Sequence, residues 1–181
     1  VTPEMLMTWW PEGWEPQAKR WIAENVLAGH VTRAQAAVRT EPGAPPTVSF
    51  TAGFAEGRIR FLPQMPPIEG AAGQISLHGA RFSATAHAGH VPVGTGGTIA
   101  IAGTSFVVPD ARIPKAPAEV RLVTESALGD ALWLIDQPPL EVLTRAGRTP
   151  DIASGRLSVE GRIGLSLRKN LKAEDLALDL S

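Results

Sequence analysis

Apolar and polar residues alternate along most of this chain with a period of two. Val48, Phe50, Ala52 and Phe54 alternate with Ser49, Thr51 and Gly53, and Ile59 and Phe61 with Arg58 and Arg60. Ile75 and Leu77 sit among Gln74, Ser76 and His78, while Phe82, Ala84 and Ala86 sit among Arg81, Ser83, Thr85 and His87. Ile99 with Ile101, Phe106 to Val108, and Val120 with Leu122 continue the series. Successive side chains of a strand point to opposite faces. The pattern therefore predicts strands between about residues 31 and 125, in an antiparallel sheet with one dry and one wet face. Glu56-Gly57, Gly79-Ala80 and the stretch from Gly94 to Gly97 supply turns.

The last strand, expected within about residues 154–181, is the clearest. Leu157, Val159, Ile163, Leu165 and Leu167 alternate with Arg156, Ser158, Glu160, Arg162, Gly164, Ser166 and Arg168. Gly161 interrupts the apolar series, where a bulge or bend is expected. At about 3.3 Å per residue this strand would reach roughly 40 Å, whereas about 5–6 residues is typical.

Two regions carry helical spacing instead. Pro16 suits a first helical turn, Ala18, Trp21, Ile22 and Val26 recur on one face, and Gly29 suits the position after the end. A helix is predicted over about residues 16–27. A helical insertion is predicted over about 126–147, with Ser126 as N-cap and Leu128, Leu132 and Ile135 on one face. Pro138-Pro139 stops that helix, and a second turn from Leu140 to Ala146 ends at Gly147. Proline-rich stretches at Pro42–Pro46, Pro63–Pro67 and Pro109–Pro117 read as loops or edge protection.

Composition narrows the chemistry. The 181 residues carry a formal net charge of −1, so no basic field argues for nucleic acid. There is no cysteine, which removes disulfides, thiol nucleophiles and thiolate metal sites. No apolar run approaches the roughly 18–20 residues of a membrane-spanning helix. The chain opens at Val1 without a signal-peptide pattern and closes in a strand-like stretch, Leu176 to Leu180, which is read as an internal piece of a longer protein. His87 and His90 are three apart, but a strand points them to opposite faces, against a metal pair. Gly94-Thr95-Gly96-Gly97 lacks the lysine and the helix of a phosphate loop and reads as a hairpin turn. Asp130 and Asp136 read as helix-surface residues. No convergent polar set points to an enzyme or to a cofactor. Trp9, Trp10, Trp14 and Trp21 cluster near the first helix. They are read as an interfacial anchor or as a plug over one end of the β core, with Pro11 and Pro16 favouring the plug.

Several motifs, taken in order, resemble a known family. These are Trp10-Pro11-Glu12-Gly13-Trp14, then Lys19-Arg20-Trp21-Ile22-Ala23-Glu24-Asn25-Val26, and then Arg60-Phe61-Leu62-Pro63-Gln64-Met65-Pro66-Pro67-Ile68. Leu134-Ile135-Asp136-Gln137-Pro138-Pro139-Leu140, Ala146-Gly147 and Ser154-Gly155-Arg156 follow. Together they resemble the AsmA-like superfamily, closest to the YhdP-type envelope proteins of Gram-negative bacteria. The resemblance implies a mainly β segment over residues 1–181, with minor α: a long, twisted, curled antiparallel sheet forming an open groove or half-barrel. It implies a periplasmic part of a protein anchored in the inner membrane outside this stretch, carrying phospholipids toward the outer membrane. It brings no catalytic residues.

Under this reading Phe50, Phe54, Phe61, Ile75 and Leu77 would line a groove for phospholipid acyl chains, together with Phe82, Ile101, Leu122, Val159 and Leu165. Trp14, Trp21 and Ile22 would plug or anchor it. The alternating faces fit an open apolar wall and equally a closed sandwich core. The alternative function is a structural β-domain whose sheet edges accept another envelope protein.

Overall fold

The structure, a computed structural model, describes residues 8, 16–43, 47–94, 96–149, 154–167 and 177–180. A single antiparallel sheet dominates it and curls into a partly closed ring without closing as a barrel. Helix α1 (Pro16–Asn25) leads into strands β1 (Val26–Arg39), β2 (Thr47–Ile59), β3 (Ile68–His78) and β4 (Arg81–Pro92). Two short strands follow, β5 (Thr98–Ala100) and β6 (Ser105–Val108), then the long β7 (Pro117–Ala127). Helices α2 (Leu128–Ile135) and α3 (Val142–Arg145) precede β8 (Arg156–Ser166) and β9 (Ala177–Leu180).

The strands follow one another as a meander. The exception lies between β4 and β7, where β5 and β6 together fill one strand position. β5 pairs the last residues of β4, and β6 pairs the first. The gap between the two short strands is closed by a side chain. Thr104 Oγ1 donates to Val123 O at 2.8 Å and accepts from Val123 N at 3.0 Å, doing for β7 what a backbone pair would do.

Register sorts the faces. The partners Ala34–Ala52–Ile75–Ala84–Phe106–Val120–Ile163 run from β1 to β8 on one face. One residue along, Gln35–Thr51–Ser76–Ser83–Val107–Glu119–Gly164 run across the other. The predicted division into a dry and a wet face is thus built into the pairing.

Several local expectations change. Glu56-Gly57 is not a turn: it lies inside β2, where Glu56 has φ 53° and the ladder slips between Phe54 and Gly57, a bulge. Phe61 follows β2 in a loop rather than extending it. Helix α1 ends at Asn25, because Val26 already pairs with Ile59; Gly29 is therefore a strand residue, with φ 137°. Gly161 makes no bulge, since β7 and β8 stay in register from Pro117–Ser166 to Ala127–Arg156. The N-cap of α2 is Ala127, without a side-chain cap, because Ser126 remains in the ladder opposite Leu157. The second helical turn does end at Gly147, whose φ of 65° lets Gly147 N and Arg148 N bond to Thr144 O and Leu143 O.

Two glycines in contrasting surroundings test this packing. A Cβ on Gly73 would press into Thr85 O and meet the Phe54 ring at 3.0 Å, so Gly73→Ala is expected to destabilise by about 1–3 kcal/mol. Gly129 in α2 faces open space, so Gly129→Ala is expected to stabilise by up to about 1 kcal/mol. Urea unfolding midpoints of the two variants should move in opposite directions.

Candidate functional site

Among the described residues, no second layer lies over the centre of the dry face. Domains ordinarily bury an apolar sheet face against another element. Here, among the described residues, no large side chain is fully buried. Instead the face is covered at its two ends.

At one end, Val91, Val93, Ile99 and Ile101 form a buried cluster against which Trp133 and Leu134 of α2 pack. Glycine makes this approach feasible: a Cβ at Gly94 would lie 2.8 Å from the Trp133 ring. The helix is held there by its roots. Leu128 N donates to Gly155 O at 2.8 Å, tying the start of the insertion to the approach to β8. Asp136 accepts from Thr144 N at 2.7 Å and from Thr144 Oγ1 at 2.9 Å, joining α2 to α3. Those bonds, the backbone one first, hold its carboxyl below the usual range.

At the other end, Val108, Ala116 and Ala118 are buried against Phe82, Phe106, Ala111 and Leu165. Phe82 and Phe106 meet edge to face, with ring centroids 6.2 Å apart. The loop that supplies Ala111 and Ala116 is braced by Asp110. Its carboxylate accepts from Arg112 Nε at 2.9 Å, Arg112 Nη2 at 2.7 Å and Arg112 N at 3.0 Å.

Between these ends lies an apolar trough. Phe82 and Val91 mark the two ends on β4, which places the ends about 30 Å apart at about 3.3 Å per residue. Of the residues predicted to line a groove, Phe50, Leu77 and Phe82 are direct neighbours across β2, β3 and β4. Ile75 lies between Ala52 and Ala84, and Phe54 covers Gly73. Leu122, Val159 and Leu165 share the same face on β7 and β8, opposite Gly161, Thr124 and Ala118. All eight are half-buried. Phe82 and Leu165 also pack against the cluster at one end, Ile101 is buried in the cluster beneath α2, and Phe61, 40% exposed, sits in the loop after β2. Trp21 is 52% exposed and Ile22 half-buried on α1, whereas Trp14 lies outside the described residues.

Phe106, Val120 and Ile163 belong to the trough as well, and their alternation carried that signal. Trp133 did not announce itself: the helical spacing drew attention to Leu128, Leu132 and Ile135. Among the described residues no group of His, Asp and Glu has metal-site geometry. No family model, curated protein or solved structure matches the chain.

The brace at Asp110 makes one cover acid-sensitive. Arg112, chiefly through its side-chain hydrogen bond and then its backbone N–H, lowers the Asp110 pKa from 3.8 to about 2. A depressed carboxylate stabilises the fold above its unfolded pKa, and that stabilisation is lost as pH falls through the folded value. The Ala111 and Leu167 amides, which bond to Ala80 O and Ala116 O, should lose exchange protection as pH drops from 3.8 toward about 2. In Asp110→Asn that acid step should vanish.

Proposed function

We propose that this chain is a segment of a periplasm-spanning, inner-membrane-anchored protein that carries phospholipids between inner and outer membranes along the trough. The observation that carries the reading is the apolar face running from β2 to β8, half-exposed and, among the described residues, covered only at its ends. The ordered motifs that resemble the YhdP-type envelope proteins support the same reading.

The energetics favour an acyl occupant. Each methylene exposed to water costs about 0.8 kcal/mol, so a chain of about 15 methylenes faces roughly 12 kcal/mol. An apolar wall removes much of that cost without any polar site. The length also suits: a bilayer core is about 30 Å thick, so one acyl chain spans about half of the trough. Transport needs no catalytic group, and the trough residues have no chemistry beyond packing.

A second reading is a scaffolding domain that binds another envelope protein. It is favoured by β1, a fourteen-residue edge strand with Val38 65% exposed. From Arg33 to Arg39 its pairing is regular, which suits addition of a partner strand.

Photo-crosslinking in the intact parent protein separates the two. A photoreactive residue at Ile75 or Leu122 should capture phospholipid, while Gln74 and Arg121, one residue back on the opposite face, should not. Equal lipid capture from both faces, or protein adducts from Val38 with no lipid from Leu122, would sink the transport reading.

A further inference from the structure

The polar face of β1–β4 has a feature that the trough does not use. Between Val31 and Arg33 the β1–β2 ladder slips by one residue. The extra residue, Thr32, sets its hydroxyl over Gly53, where a Cβ would come within 2.6 Å of Thr32 Oγ1. Arg33 is the register partner of Gly53, so the bulge brings two consecutive side chains to the polar face. Gln74 lies across Gly53 on β3, and Gln35 lies two residues along β1. With His87 of β4 these residues border a depression of 330 Å³, with Gly53 and the Thr32 hydroxyl above it in its lining.

The lining has a definite chemistry. Among the described residues that form it there is no carboxylate and no large apolar side chain. Arg33 is exposed and forms no ion pair with another described residue. One guanidinium without an ion-pair partner among the described residues therefore stands beside hydroxyl and amide groups. A guanidinium offers a fork of donors that matches phosphate oxygens. Amides and hydroxyls both donate and accept, which suits the hydroxyls of a polyol. The volume lies at the small end of ligand sites, about 300–1,000 Å³, which suits one sugar or glycerol unit better than a nucleotide. The geometry points to a binding site for a phosphorylated polyol, such as a sugar phosphate or a glycerophosphate head group. It lies on the opposite face from the trough and does not depend on the lipid reading.

Chemical-shift titration of backbone amides tests this directly. One arm uses dissolved glucose 6-phosphate and another phosphatidylglycerol vesicles, which separates a free ligand from a membrane head group. Glucose and inorganic phosphate serve as comparisons. Saturable shifts at Thr32, Arg33, Gly53 and Gln74 in either arm are expected, weakened by about tenfold or more in Arg33→Gln and less in Arg33→Lys. Arg162→Gln, on the same face but far along the sheet, should bind as the wild type does. The proposal is overturned if neither arm binds, if binding survives Arg33→Gln, or if glucose or inorganic phosphate binds equally well.

Discussion

The rest of the structure depends on the register of one hydrogen-bonded ladder system. Side chains alternate with a period of two, so a slip of one residue exchanges every residue of a strand between faces. From β2 to β8 the central pairings hold, and Ile75, Ala84, Phe106, Val120 and Ile163 stay on one side. The irregularities fall elsewhere: in the first half of β1, near Gly57, and where β3 and β4 pair between Glu69 and Gly73. Even the break between β5 and β6 is repaired by Thr104 rather than left to shift the register.

A sorted sheet with a single layer is an unusual solution to the packing problem. An ordinary domain buries its apolar face under helices or a second sheet. This chain places α2 over one end and the loop from Pro109 to Ala116 over the other. Both covers are tethered by polar contacts at their bases, through Asp136 and Thr144 in one case and Asp110 and Arg112 in the other. The backbone pairs fix the shape of the centre, which leaves its side chains free to meet an occupant. No polar side chain of the described residues is fully buried.

Much of this was legible in the residues. The alternation identified the sheet and its two faces, and eight of the ten residues named from it lie half-buried on the apolar face. The other two show where pattern stops. Phe61 continues the alternation of Ile59, but Pro63 and Pro66 follow, and the chain leaves the ladder after Ile59. Ile101 has the correct character, but α2 descends on it, and only a tertiary contact decides that. Val26 fits helical spacing from Ile22, but its pairing with Ile59 overrides that local signal and ends α1 at Asn25. Likewise Gly161 interrupts the apolar series, yet it pairs with Leu122 in unbroken register. The bulge at Thr32 left no trace in the alternation, so the depression on the polar face could not be read from it.

That depression and the trough share strands without sharing surface. On β2, Ala52 and Phe54 face the trough, while Gly53 between them lines the polar site. A ligand at Arg33 and an acyl chain at Ile75 would thus be separated by the thickness of one backbone layer. Coupling between them would have to pass through the ladder at Gly53 and Gly73. Both glycines are tightly packed, with Thr32 over one and Phe54 over the other. The physical consequence is two chemically opposite surfaces, one apolar and one anion-seeking, held back to back by a ladder whose register keeps them apart.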